Sequence, residues 1–298
     1  MIPVDTPLGR FNVWTKKLGD NPDVKVLLLH GGPGATHEYL EPLAEAIAAA
    51  GFEAYLYDQL GSHLSDKPEG DELWTTERFV DEVEQVRQAL GLGADDFYLY
   101  GHSWGGILAI EYALAHGENL KGLVISNMMA SIPLYNEYAE QVLMPQIDPA
   151  VLAEIKAFEA AENYVDPRYM ELLMEHHYVN HILRRPADRW PDSVNRAFEH
   201  LNHHVYVLMQ GPSELGASGR LLQWDRTADL AEITVPTLVI GARHDTMDPA
   251  HMEWMAGELP QGLYLYCPEG IHMAHYDDEQ VYVEGLLAFL RDTGGQGG

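Results

Sequence analysis

Apolar runs and amphipathic stretches alternate along residues 1–130. Val26-Leu27-Leu28-Leu29, Phe52 to Tyr57, Phe97-Tyr98-Leu99-Tyr100 and Leu123-Val124-Ile125 are short and nearly continuous in apolar character, the pattern of strands covered on both faces. Between them, Ala44-Ile47-Ala48 and Phe79-Val83-Val86-Leu90 recur at helical spacing. This alternation predicts an α/β fold around a mostly parallel sheet flanked by helices. Phe11-Asn12-Val13-Trp14 alternates apolar with polar instead, which predicts an antiparallel edge strand.

The rhythm stops at Ser131-Ile132-Pro133. From there to about Trp224, helical faces such as Val151-Leu152-Ile155-Phe158 and Met170-Leu173-Met174 follow one another in a stretch rich in Met, Tyr and His, without strand alternation. Strand rhythm resumes at Thr237-Leu238-Val239-Ile240 and again at Leu263-Tyr264-Leu265-Tyr266. The predicted organisation is therefore a core over 1–130 and 226–298, split after its sixth strand by a helical cap over 131–225. The tail from Thr293 to Gly298 is predicted to be flexible.

Chemistry enters at Gly101-His102-Ser103-Trp104-Gly105, which follows the Phe97–Tyr100 run and precedes the apolar helical stretch around Ile107-Leu108-Ala109-Ile110. Small residues on both sides of a serine, between a strand and a helix, make a sharp turn that exposes its hydroxyl as a nucleophile. A serine hydroxyl needs a base, the base needs an orienting carboxylate, and the developing oxyanion needs fixed donors. Asp245 stands just past the Val239-Ile240 strand and supplies the acid. His272 is the first histidine after the last strand and is preferred as base over His275, over His244 beside the acid, and over His102, whose side chain is expected to diverge from the turn. The backbone N–H of Trp104, and that of Gly32 in the turn His30-Gly31-Gly32-Pro33-Gly34, are the expected oxyanion donors.

Composition then limits the partners. Lys and Arg number 18 against 46 Asp and Glu in 298 residues, a formal charge of −28 that repels nucleic acid and anionic membranes and favours cationic or amine-bearing ligands. Cys267 is the sole cysteine and is expected to be a packed thiol in a strand. The start Met1-Ile2-Pro3-Val4-Asp5 lacks the marks of a secretion signal, so a cytoplasmic protein is expected. No cofactor or metal is predicted: there is no P-loop or dinucleotide fingerprint, and His177 with His181, or His200 with His203 and His204, are read as packed or solvated histidines. The run Asp81-Glu82-Glu84 is read as an exposed helix face.

The elements His30-Gly31-Gly32-Pro33-Gly34, Asp58-Gln59, Gly101-His102-Ser103-Trp104-Gly105-Gly106 and Gly211-Pro212-Ser213-Glu214 together resemble the proline iminopeptidase family of α/β-hydrolases, in particular its tricorn-interacting aminopeptidase and amino-acid-amidase branch. The resemblance spans nearly the whole chain. It implies an α/β-hydrolase fold and hydrolysis through an acyl-enzyme on Ser103, releasing an N-terminal residue from a short peptide or splitting an amino-acid amide. It also implies that Glu214 holds the substrate's free α-amine. The chain departs from the family pattern at Thr246, where relatives often carry a second acid, so amine binding rests on Glu214 or on another cap acid such as Glu175. It departs again at Gly61-Ser62-His63-Leu64-Ser65, where relatives usually carry an arginine. An esterase, lactonase or carbon–carbon hydrolase on the same scaffold, and a catalytically silent receptor, stay open as alternatives. Serine at position 103 disfavours the dehalogenases and epoxide hydrolases, which use aspartate there.

Overall fold

The computed structural model describes residues 1–295. Eight strands form one sheet: β1 (Ile2–Thr6), β2 (Gly9–Leu18), β3 (Lys25–Leu29), β4 (Glu53–Asp58), β5 (Phe97–His102), β6 (Gly122–Ser126), β7 (Thr237–Ala242) and β8 (Gly262–Cys267). Their spatial order is β1-β2-β4-β3-β5-β6-β7-β8. β1, β2 and β4 pair antiparallel, and every pairing from β4 through β8 is parallel. Both faces of the central strands are buried because the pleat sends alternate side chains opposite ways. Leu27, Leu29, Phe97 and Leu99 pack into one apolar cluster, whereas Val26, Leu28, Tyr98 and Tyr100 pack into the other.

Helices α1 (Glu41–Ala49), α2 (Thr76–Leu90) and α3 (Trp104–His116) connect the first strands. Between β6 and β7 the chain forms α4 (Ile132–Tyr138), α5 (Pro149–Ala160), α6 (Pro167–Leu173), α7 (Val179–His181), α8 (Asp192–Glu199) and α9 (His203–Met209), and it ends in α10 (Pro249–Glu258), α11 (Ala274–Asp277) and α12 (Glu279–Gly294). The chain leaves and re-enters the sheet layer at one place. Ser131 and Asp225 form an antiparallel bridge, Ile132 N–H donates to the Trp224 carbonyl at 2.9 Å and Arg226 N–H to the Ala130 carbonyl at 2.8 Å. β3 lies between β4 and β5, so the chain turns to opposite sides after β3 and β5. That divergence opens a crevice at the carboxyl ends of the strands.

Three expectations change. The antiparallel edge is β1, with the alternating Phe11–Trp14 segment one strand further in; β1 alternates only through Ile2 and Val4, too short a pattern to stand out. Glu82 is buried, because it lies on the same helical face as Phe79, Val83 and Val86, and it accepts from the Tyr57 hydroxyl, the Leu60 amide and Arg78. In the expected flexible tail, Thr293 and Gly294 complete α12, and 296–298 lie outside the described residues.

α3 is pressed against β3 at Gly105. A Cβ there would meet the Leu29 carbonyl oxygen at 2.3 Å and its carbon at 2.9 Å, both immovable backbone. Gly105→Ala should therefore lower stability by about 1–3 kcal/mol through overpacking. Urea unfolding would measure this, and an unchanged midpoint would mean that the helix and strand separate freely.

Candidate active site

β5 runs straight into α3 with Ser103 at the corner, at φ 57° and ψ −127°. A non-glycine residue at positive φ costs of order 1–3 kcal/mol and persists only where its surroundings hold it. Here Ser103 N–H donates to the Ser126 carbonyl at 3.0 Å, and the Ser103 carbonyl accepts from Gly106 N–H at 2.6 Å. The small neighbours are required: a Cβ on Gly101 would meet the Gly105 carbonyl oxygen at 2.0 Å.

His272 and Asp245 arrive from the loops after β8 and β7. The His272 Nδ1–H donates to Asp245 Oδ1 at 2.8 Å, which leaves Nε2 for the cavity that Ser103 also lines. Burial lowers the His272 pKa, but the charge and hydrogen bond of Asp245 outweigh it and hold the ring above its ordinary value. Asp245 is itself fixed by Asn127, whose side-chain amide donates to Oδ2 at 2.7 Å, and by the Met247 amide at 3.2 Å. The rival histidines are engaged otherwise. His275 is buried, donates through Nε2 to the Tyr39 carbonyl at 3.2 Å, and is pushed down to about 4 by that burial. His244 offers its carbonyl to His181 at 2.8 Å.

His102 turns toward the site instead of away from it. Its ring centroid lies 4.9 Å from that of His272, and its Nε2–H donates to the His272 carbonyl at 2.8 Å. With Nε2 protonated, Nδ1 accepts from the Tyr39 hydroxyl at 3.0 Å, and that hydroxyl accepts from Gly31 N–H at 2.7 Å. Burial keeps His102 well below the ordinary imidazole pKa, as this neutral tautomer requires.

The Gly31-Gly32 turn therefore sits against the serine corner. Gly32 adopts φ 109°, where a Cβ would meet the Ala35 amide at 2.6 Å. Trp104 opens α3, so its amide has no carbonyl one turn back to bond. Gln59 braces the two expected donors: its side chain accepts from the Trp104 indole at 2.8 Å and donates to the His30 carbonyl at 3.0 Å. Asn127, Tyr39 and Gln59 are functional supports that the sequence reading did not assign. Only the Asp58-Gln59 pair had stood out as a pattern.

Above these groups lies a cavity of about 1010 Å³, roofed by side chains from the α6–α9 region including Met170, Tyr178, Trp190 and Phe198. Glu214 projects into it from the loop after α9. Its Oε1 accepts from the Tyr206 hydroxyl at 2.5 Å, and its backbone carbonyl accepts from the Tyr135 hydroxyl at 2.9 Å and from His177 Nε2–H at 3.1 Å. Burial raises the Glu214 pKa against the opposing pull of His272. Glu175, in contrast, faces outward with a side chain 63% exposed and pairs with His176 at 3.7 Å, so it is not placed to bind a substrate amine. The helical turn puts His177, two residues on, at the interior instead.

Among the described residues, one histidine–carboxylate cluster brings donor atoms of Glu38, His63 and His200 within 4.8 Å of one another. Glu38 is already bonded to Arg196, Thr36 and His200. The two imidazoles stack at 3.7 Å with planes 10° apart, so their in-plane lone pairs run parallel and do not converge on an ion. His177 and His181 each spend a ring nitrogen on a carbonyl, and His204 pairs with Asp71 at 2.7 Å.

A doubly covered sheet, a strained serine at a strand-to-helix corner and a His–Asp pair at neighbouring strand ends define an α/β-hydrolase. The family model described as "alpha/beta hydrolase fold" matches residues 25–279. Proline iminopeptidases of Flavobacterium johnsoniae and Elizabethkingia meningoseptica are each 54% identical, over 293 and 295 residues, with 98% of both chains covered in each case. The chain belongs to the proline iminopeptidase family of α/β-hydrolases. Among solved structures, VinJ superposes with a TM-score of 0.89 at 30% identity, covering 98% of each chain. The proline iminopeptidase of Mycobacterium smegmatis superposes with a TM-score of 0.85 at 27% identity, covering 99% of this chain and all of that one.

The geometry makes a pH prediction. The base works unprotonated, and Asp245 favours the protonated ring, so kcat/KM on a neutral ester should fall as pH drops through a value above the ordinary imidazole pKa of about 6.5. Asp245→Asn removes that attraction, moving the acid limb to lower pH and reducing kcat by about 10⁴-fold. His275→Ala should be mild beside His272→Ala; the reverse order would assign the base to His275.

Proposed function

We propose that the chain is a serine aminopeptidase of the prolyl aminopeptidase type, releasing an unblocked first residue from short peptides or hydrolysing amino-acid amides. The observation that carries this reading is that one mostly apolar cavity is lined by Ser103, His272 and Glu214, a carboxylate held by the Tyr206 hydroxyl, whereas its other two acids are the half-buried N-cap of α6, Asp166, and the exposed Glu199. A neutral ester, lactone or carbon–carbon substrate gives no reason to keep a carboxylate in such a pocket, where its desolvation is unfavourable. An α-ammonium group does, because a paired charge in a water-poor site is strongly held.

In this mechanism the substrate amine sits on Glu214 and the scissile carbonyl lies over Ser103. His272 takes the serine proton through Nε2 as the Ser103 oxygen attacks, while Asp245 stabilises the resulting imidazolium. The Gly32 and Trp104 amides receive the negative charge that builds on the carbonyl oxygen. His272 then returns the proton to the departing nitrogen, leaving an acyl-enzyme, and a water activated by the same ring releases the first residue. Nothing can extend past the ammonium toward Glu214, and exopeptidase selectivity follows. The helices over 131–225 act as the cap that shields this exchange from water. The same reading keeps the enzyme in the cytoplasm among short peptides, where Cys267, with its thiol pushed up to about 12 by burial, stays a packed residue.

Removing one partner of a shielded ammonium–carboxylate contact costs roughly 3–5 kcal/mol. Glu214→Gln should depress kcat/KM for free-amine anilides by about 10²-fold or more, with little change on a small neutral ester. Acetylating the substrate amine should have a comparable effect on the wild type. Equal cleavage of blocked and free substrates would instead favour an esterase.

Limited proteolysis provides a separate check on the cap. Cuts should come first near residues 131 and 225, and preferential cleavage within Phe97–Leu114 would contradict a separable cap.

A further inference from the structure

The wide π-helical turn Met174–Tyr178 passes directly into α7, and His177 and His181 project from it on one face, their ring centroids 5.1 Å apart. Both rings are buried, and neither lines the cavity. Burial pushes His177 down to about 3 and lowers His181 as well, so each ring is neutral and has a single N–H to give. His177 gives its own, from Nε2, to the backbone carbonyl of Glu214 at 3.1 Å. His181 gives its own, from Nδ1, to the carbonyl of His244, the residue before Asp245, at 2.8 Å.

The backbone of the same turn grips the base loop. His272 N–H donates to the His181 carbonyl at 3.0 Å and Met273 N–H to the Ile182 carbonyl at 3.0 Å. Because His102 holds the His272 carbonyl from the core side, the His272 peptide is clamped at both of its polar ends. One cap turn thus touches the amine carboxylate's backbone, the acid loop and the base loop.

We propose that His177 and His181 are positioning residues that hold Glu214 and the Asp245–His272 pair in one register, so that an amine seated on Glu214 delivers its carbonyl to Ser103. The inference rests on the aminopeptidase reading above. It adds that the fixed spacing between anchor and base is imposed by this turn. A misplacement of about 1 Å in such a spacing costs up to about 10²-fold in rate.

The test measures kcat and KM on a free-amine anilide and on a small neutral ester, with enzyme counted by titration of the reactive serine using a fluorophosphonate probe. His181→Ala should lower kcat by about 10-fold or more on both substrates, with KM within about twofold, and should move the acid limb of the pH profile downward as the Asp245–His272 contact loosens. His181→Asn, which keeps an N–H near the His244 carbonyl, should recover most of the rate. If His181→Ala does not accumulate folded, His181→Phe keeps the ring's bulk without the donor and carries the same expectations. His177→Phe should raise KM for the anilide by about 10-fold and leave the ester unchanged, and His177→Gln should reverse this. Rates per titrated serine within twofold of wild type and an unmoved acid limb in the His181 variants would overturn the proposal, as would equal effects of His177→Phe on ester and anilide. Failure of the underlying reading looks different: His272→Ala or Glu214→Gln would then keep wild-type rates on the anilide.

Discussion

The contact between the start of α3 and the end of β3 governs the catalytic end of this molecule. Gly105 lies where any side chain would strike the Leu29 carbonyl, and Gly101 lies where one would strike Gly105 itself. Only this closeness lets the chain reverse within one residue, and Ser103 takes the resulting strain at φ 57°. Because the corner is pressed against β3, the Gly31-Gly32 turn that leaves β3 is brought beside the serine. Gln59 and Tyr39 then lock that turn to the serine corner and to His102. The strain is thus held by hydrogen bonds from three separate strand ends.

Burial acts on the histidines of the site unequally, and the inequality separates their roles. His30 and His275 are pushed down to about 4 and His177 to about 3, and His102 also lies well below the ordinary range. These rings are fixed, neutral donors and acceptors. His272 alone among them has a carboxylate against its ring, and its pKa moves the other way. A protein that shifts neighbouring groups of the same type apart has assigned them different tasks. Glu214 extends this contrast to carboxylates: it lies in the cavity with a raised pKa, its carboxylate accepting from the Tyr206 hydroxyl and its backbone carbonyl from Tyr135 and the neutral His177.

Charge on a larger scale fits the proposed substrate. A surface at −28 draws cationic amines toward the molecule over a Debye length, and the mostly apolar cavity offers them Glu214, while Glu199 on the same lining is exposed and Asp166 is engaged as the cap of α6. The helices between β6 and β7 do more than roof the cavity. They reach the loop after β8 through paired backbone bonds at His181 and Ile182, the loop after β7 through the His181 ring, and α1's approach through Arg196, which bonds both Glu38 and Glu41. Any motion that opened the cavity would have to break these contacts or carry the base loop with it.

The sequence by itself determined the α/β class, the strand-to-helix corner at Ser103 and the positions of Asp245 and His272 just past the last two strands. Each depends on local grammar: apolar runs at strand length, glycines flanking a serine, and turns after strands. It also singled out Glu214, through the resemblance carried by its Gly-Pro-x-Glu setting. What it left undecided depends on long-range packing. Asn127 carries no motif, yet the parallel register of β6 with β7 brings it to Asp245, 118 residues away. Glu82 belongs to an acidic run and is buried because of its angle around α2, and Glu175 was separated from His177 only by the pitch of a π-helical turn. His102 was expected to diverge from the site, and its direction followed from Tyr39 and the His272 carbonyl, which the fold brings from 63 residues upstream and 170 downstream. Sequence pattern records which residues share an element; which elements meet, and at what angle, is set by the sheet order and by the helices between β6 and β7, because those contacts exist only once the chain has closed on itself.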